Sequence, residues 1–467
     1  MAGYDARSIA DPVHKSIGLS DVELGVIASP AYQRLRNVKQ LGLAYLVFPG
    51  ADYSRFSHSI GVCHVTGQIL EALRRNCPQL GLTDKEIQLY RLAGLLHDIG
   101  HYPFSHTTEH AVDNYYKDTF LDNGSGDEPV ESLNHEQVGK KIIQTDEGIR
   151  RIISDAGIRP DDVYSIFLRE QPPRLANLIS SDLDADRIDY LLRTAHHTGL
   201  PYGSVDLPYL LSQMRVDDKN RICLTRKAVR TAEHFLLSRY FDYSQVAFHK
   251  TVAALELVLS DVISTLLRNR VIDYSARTVS QQISDGSWAE MDDASVLVHI
   301  AAMAKDTKDS INAAKARSIV TRNPPKMVWE SSHFNERNDR QNKKHFQTTK
   351  KHLQDKIPEW SKQFGVHQHL WWIWDRQGIA LTKVGSHVPV GSIERDDEKD
   401  RDRWEQSIRI LKHDRTTSEE IMNIPSSLMS VLADQALFSL RLYVLLEPHE
   451  LDKREKISAA VLKEFGD

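Results

Sequence analysis

Five histidines crowd into one short stretch, His97, His101, His106, His110 and His135, with His58 and His64 just ahead of them. The chain has 21 histidines, and this clustering is where chemistry is to be sought. The most informative text is LeuAlaGlyLeuLeu followed by His97 and Asp98, an apolar helix that ends in two side chains of ligand type. Burying an imidazole and a carboxylate without partners costs several kcal/mol. A divalent ion satisfies both, and this pair of donors suits Mn, Fe, Ni or Zn. His101 follows His97 by four residues, on the same side if the turn continues, and fits a supporting or proton-transfer role.

A second source of ligands is the acidic run at 182–190, which carries Asp182, Asp184, Asp186 and Asp189. Asp182 and Asp186 share a helical face, as do Asp186 and Asp189. Carboxylates this close repel one another unless cations offset them. Arg187 and Arg193 offset part of the charge, so a purely structural ion-pair network is one account of the run. With His58 and His97-Asp98 present, a metal ligand within the run is the better one.

These side chains need elements to hold them. Residues 60–73 have apolar positions at helical spacing. ThrAspLysGlu at 83–86 opens a second helix with a capping-box pattern, and that helix runs to Gly100, where Gly and then Pro103 end it. Further helices are expected at about 135–147, 174–196 and 225–270, with 232–259 as one uninterrupted helix. Residues 32–42 read as a short basic helix, and 22–27, 369–374, 379–384 and 440–445 as strands. The acidic, Gly/Ser-bearing text at 118–130 suggests a loop, and the charge run at 394–403 a solvated one. Trp371, Trp372 and Trp374 suit core packing or a subunit interface better than base stacking, with Trp372 expected to face away from the other two. The fold class is mainly α. Residues 1–275 form a helical body whose first 50 or so serve regulation or oligomerisation. Residues 276–467 form a smaller α+β region for oligomerisation or regulation.

Composition bounds the rest. A chain of 467 residues predicts about two or three folded units. Apolar residues at 41% and charged residues at 26% are ordinary for a globular protein. The net charge of −5 excludes a global basic field that would attract nucleic acid or anionic lipid. No apolar run reaches the ~18–20 residues of a membrane helix, and the N-terminus has no signal-peptide core. The expectation is a cytoplasmic protein without membrane partners. Cys63, Cys77 and Cys223 are odd in number and far apart, which predicts buried thiols rather than disulfides or a thiolate zinc site.

The order His, His-Asp, Asp is the ligand pattern of the HD-domain phosphohydrolases. Four local texts are closer still: GlnArgLeuArgAsnValLysGlnLeuGly at 33–42, ValPheProGly at 47–50, ArgPheSerHisSerIleGlyVal at 55–62 and HisAspIleGlyHisTyrProPheSerHis at 97–106. They resemble the deoxynucleoside triphosphate triphosphohydrolases, which include bacterial dGTPase-like enzymes and mammalian antiviral enzymes with a SAM domain ahead of the HD domain. The likeness covers about residues 7–270. It implies an HD-domain helical core with metal ligands His58, His97, Asp98 and Asp186, the last chosen because AspArgIleAspTyr matches the family's text. It implies catalytic roles for His101, His106 and His135, with His106 acting on the leaving ester oxygen. It assigns Arg55, Arg187 and Arg239 to the triphosphate, and Gln40 and Tyr190 to the neighbourhood of the sugar. The implied reaction is metal-dependent hydrolysis of a nucleoside triphosphate to nucleoside and inorganic triphosphate, with Mg²⁺ as a candidate companion on the triphosphate. Arg7, Gln33 and Arg36 match activator-binding positions, so an allosteric nucleotide is implied, as is a homo-oligomer of two, four or six chains. A cellular role in nucleotide-pool control or antiviral defence goes with the resemblance.

Two departures touch the sugar. Thr194 stands where the family carries an Asp, and Ala247 where it carries a Tyr. Losing a carboxylate removes an acceptor, and losing an aromatic wall enlarges the pocket. A ribonucleotide, a modified nucleotide or a nucleic-acid end thereby becomes a candidate substrate. Ala28 also replaces a guanine-reading Asp, which argues against guanine specificity in the activator site. Two other readings compete. One is an HD nuclease or phosphodiesterase acting on single-stranded DNA or RNA ends, to which Lys343, Lys344, Lys350 and Lys351 could lend a basic groove. The other is a nucleotide sensor with weak turnover.

Overall fold

The chain enters through a hairpin: β1 (Ser8–Asp11) pairs antiparallel with β2 (Lys15–Gly18). In this computed structural model the residues described are 7–122, 131–168, 175, 178–179, 181–336, 339–379, 407–432 and 435–466. The hairpin turn is set by Asp11, whose carboxylate accepts from the Val13 and His14 amides at 2.9 and 2.8 Å. Two short helices follow, α1 (Asp21–Ile27) and α2 (Pro30–Gln33). The strand expected at 22–27 is therefore a helix. A capping box between Ser20 and Glu23 nucleates its first turn and outweighs the β-branched residues there. The expected basic helix at 32–42 is also interrupted, tightening into a 3₁₀ turn at Arg34–Asn37 before Val38 turns extended.

α3 (Arg55–Asn76) is buried along most of its length. α4 (Asp84–Leu96) packs against it and opens on the expected capping box, Thr83 Oγ1 accepting from the Glu86 amide at 3.2 Å and Glu86 from the Thr83 amide at 3.0 Å. Around this pair lie α5 (His106–Asp122), α6 (His135–Thr145), α7 (Glu147–Asp155), α8 (Pro160–Leu168) and α9 (Ala185–Thr198). α9 packs directly on α3 and stops at Gly199, whose φ of +72° suits glycine.

The chain continues through α10 (Leu207–Gln213), α11 (Val229–Asp242) and α12 (Lys250–Arg268). The single helix expected over 232–259 is broken. Residues Tyr243–Ala247 form one π-helical turn, and the His249 side chain caps α12 by accepting from the Thr251 amide at 3.2 Å. Helices α13 (Ala276–Asp285), α14 (Asp293–Met303) and α15 (Ser310–Val320) complete the helical body.

Two small sheets accompany the helices. β3 (Met214–Val216), β4 (Ile222–Leu224), β7 (Arg409–Leu411) and β8 (Ser418–Glu420) lie in that order, with β4 and β7 parallel. β5 (Lys326–Glu336), β9 (Gln435–Val444) and β6 (Trp371–Ile379) form an antiparallel sheet with β9 central. α16 (Arg340–Phe364) and a helix at Lys453–Phe465 cover it. The architecture is mainly α, with the three-stranded antiparallel sheet in the smaller part.

The larger apolar core runs past residue 275, taking in Val279, Trp288, Ile300 and Ile319. The smaller core is built from Trp329, Phe346, Leu353, Trp360, Trp371 and Phe438 with their neighbours. All three clustered tryptophans are buried, but Trp371 is the one that stands apart. Trp372 and Trp374, two residues apart on one face of β6, join the larger core. Cys63, Cys77 and Cys223 are buried free thiols. Residues 118–122, expected in a loop, belong to α5. The rest of that loop, the strand text after Ile379 and the charge run at 394–403 lie outside the described residues. Among the described residues no helix is long and apolar enough to cross a membrane.

Candidate metal centre and active-site cleft

Three helices converge on one point. α3 brings His58 in its first turn, fully buried. The last turn of α4 runs into His97 and Asp98. α9 brings Asp186 in its first turn. The hydrogen bonds tell the four neighbouring aspartates apart. Asp184 is the N-cap of α9, accepting from the Arg187 amide at 2.7 Å. Asp182 pairs with the Arg187 guanidinium at 2.6 Å. Asp189 stands behind His58, with Oδ2 at 2.8 Å from Nδ1. Asp186 faces the other side of the same ring, with Oδ1 at 3.0 Å from Nε2.

The donor atoms of His58, His97 and Asp186 all lie within 4.8 Å of one another. Asp98 adjoins them, 3.3 Å from His97 Nε2 and 3.7 Å from His58 Nε2, while Arg55 Nη1 holds its Oδ2 at 2.5 Å. The structure thus brings all four expected ligands together, with Asp98 shared between the centre and Arg55. His58 Nε2 and His97 Nε2 are buried, face carboxylate oxygens at 3.0 and 3.3 Å, and make no well-aligned hydrogen bond. Buried imidazole nitrogens of that kind are rare unless a ligand takes them. The opposite ring nitrogens are anchored, His58 Nδ1 on Asp189 and His97 Nδ1 on the Gly94 carbonyl at 2.8 Å. Anchoring one nitrogen and freeing the other is how a metal-binding histidine is prepared. The residues fit a divalent ion.

The electrostatics agree. Burial pushes the His58 imidazole down, but Asp186 and Asp189 outweigh it and raise it to about 9. Burial likewise opposes ionisation of Asp186, yet His58 and His97 hold it well below the usual carboxylate range. This pocket recruits positive charge: a proton on the imidazole, or a cation in its place.

A second cluster sits beside the first. His101 Nε2 is 3.2 Å from Asp98 Oδ1, and its ring stacks on His135 with centroids 4.0 Å apart. His106 and His135 both reach Glu109, at 3.1 and 2.9 Å through their Nδ1 atoms. Glu109 also accepts from the His135 backbone amide at 2.9 Å, and these contacts hold its carboxylate ionised against burial. The three expected histidines are therefore together. Glu109 was missed in the sequence, where a single Glu in a helix has no distinguishing neighbour; its spacing of three from His106 was the available signal.

The two clusters border a cleft of about 370 Å³, the size of a site for one small molecule. Gln40 and Tyr190 line it, each with a buried side-chain oxygen that has no hydrogen-bond partner. Arg55, Thr194 and Ala247 line it too, Thr194 bonded to the Tyr53 hydroxyl at 2.8 Å and Ala247 at the end of the π turn. π turns of this kind recur at functional sites. Phe104 and Ser105, also on the wall, have φ of +56° and +59°, local strain held by Asp293, which accepts from the Phe104 amide at 2.7 Å.

Two lining carboxyls escaped the sequence reading. Asp242 ends α11, 6% exposed, one oxygen bonded to the Tyr202 hydroxyl at 2.6 Å. Glu256 lines the cleft from α12. Burial raises each to about 7, with Arg239 and Arg376 respectively opposing.

Arg187 and Arg239 converge instead on Asp182, at 2.6 and 3.6 Å, and lie outside the residues that line the cleft. Arg239 also sits over the ring of Tyr243, which does line it. Of the expected activator residues, Gln33 and Arg36 meet, Gln33 Oε1 accepting from Arg36 Nε at 2.7 Å, with Arg36 3.6 Å above the Phe56 ring. Arg7 is exposed at the mouth of the hairpin. Among the lysines of α16, Lys350 is paired with Asp375, while Lys344 and Lys351 are exposed.

Comparison with known proteins finds two matched regions along the chain. Residues 55–194 match the HD domain and residues 205–359 match the HD associated region. The first match begins at Arg55 and contains every candidate metal ligand. The chain carries an HD domain followed by an HD associated region, and in this it fits the HD dNTPase-like family. An uncharacterised protein of Methanocaldococcus jannaschii, MJ1154, is 33% identical over 279 residues, 57% of this chain and 51% of its own length. The human deoxynucleoside triphosphate triphosphohydrolase SAMHD1 is 28% identical over 286 residues, 55% of this chain and 44% of its own. The chain spans about half the length of the curated relatives it matches. A hypothetical protein from Aquifex aeolicus aligns over 97% of this chain and 99% of its own, at 26% identity and a TM-score of 0.69.

Proposed function

We propose that this protein hydrolyses nucleoside triphosphates, in a metal-dependent reaction that releases nucleoside and inorganic triphosphate. The observation that carries the reading is the pair of buried imidazole nitrogens, His58 Nε2 and His97 Nε2, that converge with Asp186 and Asp98 at the wall of a nucleotide-sized cleft. Relatives named as deoxynucleoside triphosphate triphosphohydrolases support the substrate class.

A Mn, Fe, Ni or Zn ion held by these residues would polarise a phosphate oxygen and lower the pKa of a bound water. Arg55, on the cleft wall, offsets charge that spreads over the phosphates. Glu109 ties down His106 Nδ1, which leaves Nε2 to pass a proton to the departing ester oxygen. His135 shares that carboxylate and stacks on His101, which keeps the three rings in one arrangement. Gln40 and Tyr190 offer their unpartnered oxygens to the nucleoside. Arg187 and Arg239 act from behind, fixing the start of α9 through Asp182. Thr194, Ala247 and Asp242 make the sugar end wider and differently polar, which supports acceptance of a ribose as well as a deoxyribose. The reading extends to a regulatory nucleotide near Gln33 and Arg36, and to a cytoplasmic homo-oligomer.

The test is product analysis by chromatography, with Mn²⁺, all four dNTPs, all four NTPs and a labelled single-stranded oligonucleotide. Nucleoside plus triphosphate is expected. Ribonucleoside products would show that the altered sugar end redirects the enzyme. A shortened oligonucleotide with intact nucleotides would replace this reading with a nuclease, and no turnover at saturating metal with a sensor.

A further inference from the structure

Asp189 is fully buried and does not itself line the cleft, yet it is among the most heavily bonded carboxylates of the described residues. Its Oδ2 is 2.8 Å from His58 Nδ1. Its Oδ1 is 2.7 Å from His14 Nε2. Arg193 grips both oxygens at 2.9 Å, through Nε and Nη2. The third nitrogen of Arg193, Nη1, reaches Asp11 Oδ2 at 2.8 Å. His14 and Asp11 both belong to the N-terminal hairpin, and Asp11 Oδ1 fixes the turn that aims His14 inward. The His14 side chain is 4% exposed.

We propose that the N-terminal hairpin is a working part of the metal centre, with His14 as a positioning residue that acts on His58 through Asp189. This rests on the metal reading above, but not on the identity of any substrate. A carboxylate behind a metal-binding histidine fixes its tautomer: with the Nδ1 proton given to Asp189, the lone pair of His58 sits on Nε2, facing Asp186 and His97. Asp189 can do this only if its own orientation is fixed. The carboxylate has four bonding directions, and His14 and Arg193 fill those that His58 leaves. Removing His14 leaves Oδ1 with Arg193 alone and frees the carboxylate to swing off the His58 axis.

The packing around the relay leaves no slack. Gly61 on α3 lies so close that a Cβ there would fall 1.9 Å from Asp189 Oδ1 and 2.5 Å from Arg193 Nη2. The neighbours of His14 are accounted for as well: the His64 ring at 5.2 Å, with Asp189, Arg193 and Asp11 beyond. None of these would replace the donor that His14 gives to Oδ1. A purely structural hairpin clasp predicts lost stability and an unchanged metal site. A positioning relay predicts a weakened metal site in a protein that still folds.

The experiment is Mn²⁺ titration calorimetry on the full chain, with thermal unfolding of the metal-free protein measured in parallel. His14→Gln keeps a donor at similar reach, and His14→Met keeps bulk without a donor. The expected result is a Kd raised about 10- to 100-fold in His14→Met, with His14→Gln recovering most of the loss and both metal-free proteins unfolding at similar temperatures. Equal Kd values for wild type, His14→Met and His14→Gln would overturn the relay and leave the metal reading standing. So would equal weakening in both variants, which would trace to packing rather than to the donor. A wild-type protein that takes up none of Mn²⁺, Fe²⁺, Ni²⁺ and Zn²⁺ would overturn the metal reading, and the relay with it.

Discussion

His97 and Asp98 leave the end of α4 side by side, so one double substitution strips the centre of two neighbouring groups. In H97A/D98A, metal content should fall to background and hydrolysis by at least about 100-fold, with helical content kept. Metal analysis and turnover on the same sample check this, and a variant that still turns over places the chemistry elsewhere. The sugar end makes a second residue-scale prediction. Ala247→Tyr narrows the π turn's face of the cleft and should shift selectivity towards deoxyribose. Asp242→Asn alters a wall group with one oxygen free of Tyr202. It should change the ratio of dNTP to NTP kcat/KM by about tenfold, the worth of one hydrogen bond to a charged group. A ratio unmoved by both variants would remove these residues from the sugar site.

At the scale of elements, the contact between α3 and α9 depends on Gly61. Gly61→Ala would drive a methyl into the Asp189–Arg193 pair, and unfolding should show a loss of about 1–3 kcal/mol, typical of overpacking. What was legible beforehand follows the same scale. Local rules located the helices: the Thr83–Glu86 capping box is present as read, and the His58, His97 and Asp186 texts lie on three helices that meet. The motif also picked Asp186 from four aspartates, a choice the hydrogen bonds explain by giving the other three different partners. What escaped was set by distant contacts. The π turn at 243–247 looks like ordinary helix in sequence. Glu109 and Asp242 take partners 26 and 40 residues away that no local pattern announces. Residues 22–27 looked β-branched enough for a strand until the capping box on either side of the first turn decided otherwise.

Across the whole molecule, stability should depend on pH in a way that identifies the buried acid. Asp242 has its carboxyl raised from 3.8 to about 7 by burial. The folded state therefore holds this proton more tightly than the unfolded one. Its contribution is full below about pH 4 and is lost as pH rises towards 7. Relative to Asp242→Asn, the wild type should lose up to about 1.4 kcal/mol per pH unit across that window. Urea unfolding at pH 5, 6 and 7 measures it, and parallel curves for the two proteins would remove Asp242 as the source. Metal acts on the same balance from the other direction. Mn²⁺ at a hundred times its Kd should stabilise the wild type by about 2.7 kcal/mol and leave H97A/D98A unmoved.

The hairpin carries a consequence for the order in which the protein is made. His14 must wait for Asp189, 175 residues downstream, before its side chain has a partner. His58 waits for the same carboxylate, 131 residues on. On a ribosome both histidines emerge long before the residue that orients them. Such distant pairings form late and slowly, so the nascent chain carries an unfinished ion site until Asp189 has emerged and docked. Uptake of the metal then becomes a closing event, available only once the N-terminal hairpin and α9 have met.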